Sequence, residues 1–308
     1  MAIAIIIQEP KLRDKWLENF RSLAPDLDFR VWPDLGQLSD ITFAITWRPP
    51  HNVFENLPNL KAIHSIGAGV NYIFETPNLP HVAILKVVDE RLTHDMAQYV
   101  SHAVLNHFLK ISRYQKAQLK SQWSPSRPLP QETQIGILGL GEIGAHTAQT
   151  LRKLHFNVCG YSQSPKPHLD FQTYHGKENF DLFLHQTDIL VCLLPLTAQT
   201  ENILNYDLFY KLRKNAYIIN VGRGKHLVEN DLIRAIDEQQ LSGASLDVFK
   251  TEPLPSEHPF WKHEQIHITP HIASQTIPAR VCKLILDNYQ RQLQDLPYLN
   301  QVNQSKGY

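Results

Sequence analysis

Glycine is scarce in this chain, at 13 of 308 residues, below the roughly 7% of an average protein. Its placement therefore carries weight. Cysteine is scarcer still. Cys159, Cys192 and Cys282 all lie in apolar segments without metal-ligand spacing, so no metal site is expected and the thiols read as reduced, as in a cytoplasmic protein. Neither sign of charge is in excess, with 30 basic and 30 acidic residues. No net field draws the chain to nucleic acid or to an anionic membrane. No apolar run approaches the roughly 20 residues needed to cross a bilayer. The opening residues 1–7 are apolar but short, lack a basic leader and run into Gln8 and Glu9, so they read as a first strand and not as a signal peptide. There is no low-complexity tract and no repeat of fixed period. The length and apolar content suit two ordinary domains with separate cores.

Eight of the 13 glycines fall in three clusters. These are Gly67 and Gly69; Gly136, Gly139, Gly141 and Gly144; and Gly222 and Gly224. Each cluster follows or overlaps a strand-like apolar run, the pattern of loops at strand ends where backbone approaches a ligand. The most specific is Gly139-Leu140-Gly141-Glu142-Ile143-Gly144. Ile135, Ile137 and Leu138 precede it as a strand. Ala145, Ala148, Leu151 and Leu154 follow with the spacing of a helix face. A strand turning tightly into a helix aims free amides at a pyrophosphate, and glycine lets the phosphates approach. The G-x-G-x-x-G string is weak alone, but strand before and helix after make it a dinucleotide fingerprint.

Strand patterns fall at 2–7, 29–32, 41–47, 61–66 and 83–87, and again at 134–139, 157–161, 188–194, 217–221, 244–249 and 265–269. Alternation with helical segments predicts two α/β units with parallel sheets. Between them Thr93 suits an N-cap, and Met96, Val100, Ala103, Val104, His107, Phe108 and Ile111 repeat at helical spacing towards Tyr114. This predicts one helix of about 25 residues, roughly 37 Å long, long enough to bridge two domains, ended by Pro125, Pro128 and Pro130. The apolar tail (Val281, Leu284, Ile285, Tyr289) is helical again and is expected to return to the first domain. The expected division is 1–95 with 280–308 for one domain and 96–279 for the other.

Three polar residues at strand ends carry candidate chemistry. Arg223, between Gly222 and Gly224, can fork onto a carboxylate; the alternative is a surface ion pair. Glu252 follows the strand ending near Phe249, and His271 follows Thr269-Pro270. A histidine that delivers a proton needs a carboxylate to fix its tautomer and favour its charged form. In a chain with 16 histidines neither residue is informative singly; the combination with Arg223 is.

These motifs resemble those of the D-2-hydroxyacid dehydrogenases, and within them the glyoxylate/hydroxypyruvate reductase A group. The resemblance rests on Ile66-Gly67-Ala68-Gly69-Val70-Asn71, the glycine fingerprint, Asn220-Val221-Gly222-Arg223-Gly224, the string from Asp247 to Pro253, Thr269-Pro270-His271-Ile272-Ala273, and the closing Gly307-Tyr308. It implies a Rossmann nucleotide-binding domain inserted into a flavodoxin-like substrate domain, an active site in the cleft, and a homodimer with contacts on the long helix. It further implies NAD(P)H-dependent reduction of a small 2-oxoacid, with Arg223 clamping the carboxylate, main-chain amides around Gly67, Ala68 and Gly69 assisting, and His271 with Glu252 giving the proton. Asp247 would bond the nicotinamide carboxamide, with Val221 and Gly222 beside it, and Leu194, Pro195 and Thr200 would line the adenosine side. Strand-end packing is the alternative for these.

An NAD-preferring site usually carries a carboxylate about 20 residues past the fingerprint. Here the second strand runs into Tyr161-Ser162-Gln163-Ser164-Pro165-Lys166-Pro167, and no carboxylate occurs before Asp170. Ser162, Gln163, Ser164 and Lys166 would meet a 2′-phosphate without repulsion, so NADP(H) is favoured over NAD(H). Similar reductases usually place arginines where this chain has Gln163 and Pro165. Trp47, before Arg48-Pro49-Pro50, can cap a small substrate or belong to the core. His64 and His94 read as packed or solvated. Other readings on this fold are a D-lactate-type or other longer-chain dehydrogenase and a nonenzymatic NAD(H)-sensing corepressor. A formate dehydrogenase would pair glutamine, not Glu252, with the histidine.

Overall fold

The computed structural model describes residues 1–130, 132–305 and 307. Tyr308, the end of the closing motif, lies outside the described residues. The chain forms two compact units, Met1–Asp89 with Thr276–Tyr308, and Glu90–Gln275. Both changes of unit come a few residues ahead of the expected 95/96 and 279/280. The first lies ahead because the helix beginning at Glu90 belongs whole to the second unit.

In the first unit, strands β1 (Ala2–Ile7), β2 (Phe29–Val31), β3 (Ile41–Trp47), β4 (Ala62–Ser65) and β5 (Ala83–Leu85) form one parallel sheet. Their order, β2-β1-β3-β4-β5, is the flavodoxin-like one. Every residue of β1 is buried, as expected of a central parallel strand covered on both faces. Helix α1 (Pro10–Leu23) starts cleanly because the Glu9 carboxylate accepts from the Leu12 amide at 2.8 Å and Pro10 supplies a preset first turn. Its Trp16 and Phe20 are buried. A short helix, α2 (Asn71–Phe74), follows the Gly67–Gly69 turn.

The second unit opens with α3 (Glu90–Phe108) and α4 (Ile111–Leu119), which replace the single helix expected to run to Tyr114. Lys110 takes a left-handed conformation, φ 58°, and interrupts the i to i+4 ladder without any glycine or proline to announce it. The sheet contains β6 (Gln134–Leu138), β7 (Asn157–Ser162), β8 (Thr173–His175), β9 (Ile189–Cys192), β10 (Ala216–Asn220), β11 (Leu241–Leu246) and β12 (Ile266–Ile268). All pairings are parallel, in the order β12-β11-β10-β9-β6-β7-β8. This is the Rossmann order, with its topological switch between β6 and β9. β8 was not expected, being three residues long with only one apolar-bodied side chain, Tyr174.

Period-2 alternation sends Ile135, Ile137, Ile189, Val191 and Ile219 to one face, against Val100 and Val104 of α3 and Leu151 of α5 (Glu142–Lys153). Leu138, Leu190, Cys192, Ile218 and Leu246 face the other way. They meet α6 (Phe180–His185), α7 (Tyr206–Lys211) and α8 (Glu229–Asp237) through Phe183, Phe209 and Leu232. Each fully buried side chain of this kind contributes roughly 1.5–3 kcal/mol.

Helix α9 (Pro278–Leu293) returns to the first unit. Its Tyr289 meets the Phe43 ring edge-on at 5.6 Å, and Asn288 Nδ2 donates to His64 Nε2 at 3.2 Å. His64 Nδ1 lies 2.7 Å from the Ser65 carbonyl. His64 is thus a satisfied core histidine, and burial lowers its pKa to about 4. No helix among the described residues is long and apolar enough to cross a membrane.

Candidate active site at the strand ends of the second unit

Parallel pairing sets every strand end of the second sheet on one edge. Leu138 pairs with Cys192, Cys192 with Asn220, Asn220 with Leu246, and Leu246 with Ile268. The segments just beyond these residues carry the candidate cofactor loops, Arg223, Asp247, Glu252 and His271, so the fold gathers residues far apart in sequence along a single rim. With neighbouring strands about 4.8 Å apart, the loops of Arg223 and His271 begin roughly 10 Å from each other, a span suited to a small ligand held at both ends.

At the switch point Gly139 has φ +110°, open to glycine and costly for other residues, and a Cβ there would stand 2.9 Å from the Leu193 backbone. A Cβ at Gly144 would stand 1.8 Å from the Gly139 carbonyl oxygen, so this glycine lets α5 pack against the turn. Around Gly141 nothing lies within 4 Å of a Cβ position. Gly141 is also the N-cap of α5 without any side-chain cap, so the first-turn amides have no acceptor in the helix. Close packing at two glycines beside open space at the third, over orphan amides, fits a pyrophosphate. Glu142 is exposed and Ile143 half-buried at the same helix start.

Beyond β7, the Ser162 hydroxyl donates to the Ser164 carbonyl at 2.7 Å and fixes the turn. Gln163 and Ser164 are exposed and Lys166 half-buried. The first carboxylate after the strand, Asp170, is held by Arg152 Nη1 at 2.7 Å, and that bond lowers its pKa. On the next loop, Leu194, Pro195 and Thr200 are half-buried. The Thr200 hydroxyl donates to the Pro195 carbonyl at 2.7 Å and accepts from the Thr197 amide at 2.9 Å, bracing the loop from within.

Arg223 follows buried Val221 and Gly222. Its Nη1 donates to the Gly222 carbonyl at 2.7 Å, and the Asn220 side chain ties both ends of the turn, accepting from Gly222 N and donating to the Arg223 carbonyl, each at 3.2 Å. Gly224 is required by packing, since a Cβ would fall 1.8 Å from the Phe249 carbonyl carbon.

Asp247 is buried and both carboxylate oxygens are used. Oδ1 accepts from Thr269 Oγ1 at 2.6 Å and from Ile272 N at 2.9 Å; Oδ2 accepts from Ala273 N at 2.9 Å. Tyr99 of α3 is bonded in turn to the Thr269 hydroxyl, and burial raises its phenol pKa to about 12. Asp247 thereby moulds the loop that presents His271, which sits at φ +55°, a left-handed conformation costing roughly 1–2 kcal/mol for a non-glycine residue. His271 Nδ1 lies 2.9 Å from Glu252 Oε2, and Glu252 Oε1 accepts from the Phe249 amide at 3.1 Å. The carboxylate fixes the ring, and Nε2 bonds no other group among the described residues. The His271 side chain is 35% exposed and that of Glu252 18%, so a ligand can reach the ring while its partner is shielded.

Trp47 and the Gly67–Gly69 turn belong to the first unit. Trp47 is half-buried, edge-on to Tyr72 at 5.0 Å, and a Cβ on Gly67 would stand 2.9 Å from its ring. It is a wall of the glycine turn and not part of the sheet core. The Ser65 hydroxyl lies within bonding distance of the Gly67 amide and carbonyl, the Gly69 carbonyl and the Tyr72 hydroxyl. The amides of Ala68 and Gly69 have no acceptor among the described residues, which suits an anion. Of the remaining residues, exposed His94 meets the His146 ring at a tilt, 4.8 Å between centroids. The three cysteines are buried and free, with burial pushing Cys159 up to about 11 and Cys192 and Cys282 up to about 12.

Sequence reasoning missed Ser65, Tyr72, Tyr99, Arg152 and His226. Ser65 and Tyr72 left a local trace in flanking the motif from Ile66 to Asn71, and His226 in lying three residues after Arg223 in the same glycine turn.

The geometry agrees with the comparisons to known proteins. A family model described as D-isomer specific 2-hydroxyacid dehydrogenase, NAD binding domain, matches residues 101–273. The glyoxylate/hydroxypyruvate reductase A of Serratia proteamaculans is 40% identical over 282 residues, covering 89% of this chain and 90% of the relative. Two solved structures each superpose with a TM-score of 0.92, covering 100% of this chain and 99% of theirs. One is a D-isomer specific 2-hydroxyacid dehydrogenase from Xanthobacter autotrophicus in complex with NADPH and MES, 33% identical. The other is an NADPH-dependent glyoxylate/hydroxypyruvate reductase from Sinorhizobium meliloti in complex with NADP and sulfate, 32% identical. With a family model across more than half its length and a relative of this identity across most of it, the chain belongs to the D-isomer specific 2-hydroxyacid dehydrogenase family.

Proposed function

We propose that this protein reduces small 2-oxoacids, glyoxylate to glycolate and hydroxypyruvate to D-glycerate, with NADPH preferred to NADH. The observation that carries the reading is the His271–Glu252 pair at 2.9 Å on the strand-end rim, with Nε2 left for a ligand. A bound nicotinamide dinucleotide would supply the hydride that reduces C2. The chain's own residues do the rest. Arg223 forks onto the substrate carboxylate and polarises the 2-oxo group. Glu252 holds the His271 ring through Nδ1, and the opposite nitrogen, Nε2, gives its proton to the oxygen at C2 as negative charge develops there.

For the dinucleotide we assign the pyrophosphate to Gly139, Gly141, Glu142, Ile143 and Gly144, the adenosine side to Leu194, Pro195 and Thr200, and the nicotinamide side to Val221, Gly222 and Asp247. Preference for the phosphorylated cofactor is supported by Ser162, Gln163, Ser164 and Lys166, and by Asp170, whose charge is already met by Arg152. The Ala68 and Gly69 amides, with Gly67 and Trp47, are assigned to the substrate. A homodimer is supported by Leu119 and Trp123, large apolar side chains 88% and 98% exposed in the single chain, which a second copy would cover.

The test is a pair of substitutions. His271→Ala should lower kcat by about 10²- to 10⁴-fold, the scale for losing a general acid, with NADPH affinity little changed. Arg223→Lys should raise KM for the oxoacid despite keeping the charge, because an ammonium cannot reproduce the fork. Near-normal kinetics in both variants would refute the assignment.

A further inference from the structure

His226 takes no part in the chemistry proposed above, yet it holds one of the groups that does. It closes the turn Gly224–His226 after β10 and is fully buried. Nδ1 accepts from the Arg223 amide at 3.0 Å, and Nε2 lies 3.3 Å from the Pro195 carbonyl. An amide only donates and a carbonyl only accepts, so a single neutral tautomer, protonated at Nε2, satisfies both. Burial lowers the pKa to about 4 and keeps the ring neutral near pH 7.

The surroundings fit the ring closely. A Cβ on Gly222 would stand 2.9 Å from Nδ1, and Cys192 Sγ closes another side at 3.8 Å. The Pro195 carbonyl that meets Nε2 is the one braced by Thr200 Oγ1. His226 is therefore a crosspiece between the loop at 195–200 and the turn carrying Arg223. Because Arg223 Nη1 is bonded to the carbonyl of Gly222, the aim of the guanidinium follows the backbone that His226 pins.

We infer that His226 is a positioning residue that couples the cofactor-side loop to the substrate-side arginine, so that a dinucleotide ordering one loop improves the aim of the other. The inference rests on Arg223 being the carboxylate clamp and on the loop at 195–200 lining the cofactor.

Two substitutions cut the bridge at opposite ends. His226→Asn places a carbonyl oxygen near the Nδ1 position, keeping the bond to the Arg223 amide and losing the one to Pro195. His226→Gln reaches the Nε2 position with an amide group and leaves the Arg223 amide without its acceptor. The readout is the dissociation constant of oxalate, a planar two-carbon anion shaped like glyoxylate, measured by calorimetry with and without saturating NADPH. The ratio of the two constants is the coupling. In the wild type NADPH should tighten oxalate severalfold. Both variants should bring the ratio close to one, and only His226→Gln should weaken oxalate in the absence of NADPH, by about tenfold, the scale for leaving a buried amide unpaired. A role confined to stability would lower the melting temperature and leave the ratio unchanged.

Coupling preserved in both folded variants, equal weakening by both without NADPH, or no coupling in the wild type would overturn the inference while glyoxylate turnover stood. Wild-type protein that neither binds oxalate nor turns over glyoxylate would overturn the underlying reading instead.

Discussion

Gly141→Ala and Gly144→Ala add the same methyl group three residues apart, and the structure separates their effects. At Gly144 the new carbon would stand 1.8 Å from the Gly139 carbonyl oxygen. The start of α5 must move by more than an ångström against the end of β6. Overpacking of this kind costs about 1–3 kcal/mol, which for a chain of this size lowers the melting temperature by roughly 2–4 °C per kcal/mol. At Gly141 the backbone, φ −74° and ψ −169°, is one that alanine adopts, and nothing stands within 4 Å. Alanine gains about 0.4–1 kcal/mol through the unfolded chain and loses a similar amount because it caps helices less well than glycine. The melting temperature should therefore stay within about 3 °C of wild type. What the methyl fills is the space over the orphan amides. Losing one charge-assisted bond to a phosphate, at about 1.5–3 kcal/mol, weakens the dinucleotide roughly 10- to 100-fold. Fluorescence titration with NADPH and a thermal melt by circular dichroism measure both quantities. Gly141→Ala binding NADPH like the wild type would refute the phosphate cradle, and Gly144→Ala melting like the wild type would refute the packing argument.

Asp247→Asn should both destabilise and slow the enzyme, because an amide cannot accept from Thr269, Ile272 and Ala273 together and leaves a buried donor facing a donor. A loss of about 1–3 kcal/mol should appear in a urea midpoint, with kcat falling as the His271 loop loosens; an unchanged midpoint would contradict the anchoring role. Stability should also fall with acid below pH 6.5. His64 and His226 are both held to about 4 by burial, whereas in the unfolded chain they titrate near 6.5. Between those values the unfolded state binds more protons, so each histidine's contribution is complete above pH 6.5 and is lost as pH falls through 4. It is on the order of 3 kcal/mol apiece. His64→Gln should flatten the pH dependence of the urea midpoint over this interval, and an unaltered slope would count against buried neutral histidine.

The architecture was largely legible because parallel strands buried on both faces write themselves as apolar runs, and Ile3, Ile5, Ile137, Val191 and Ile219 do so plainly. β8 was not, since three residues with little apolar content leave no period to read. The break between α3 and α4 was equally silent: Lys110 adopts φ 58° with no residue type that signals it. At the site, Arg223, Glu252 and His271 were legible because each lies within a few residues of the end of an apolar run, and parallel topology carries such positions to one rim. The bonds that brace them were not. Tyr99 reaches Thr269, and Asp247 reaches the amides of residues 272 and 273, across separations that composition and spacing do not encode. For Asp247 the sequence suggested a cofactor contact; the structure adds three bonds that make it the anchor of the histidine loop.

Initial rates decide whether the protein is the proposed small-oxoacid reductase with NADPH preference. NADPH and NADH oxidation should be followed separately at 340 nm with glyoxylate, hydroxypyruvate and pyruvate as acceptors. Glyoxylate and hydroxypyruvate should turn over rapidly with NADPH and pyruvate more slowly, with a lower kcat/KM for NADH. No turnover of any acceptor with either nucleotide would contradict the proposed function, and faster turnover with NADH would overturn the cofactor assignment at Ser162, Ser164 and Lys166.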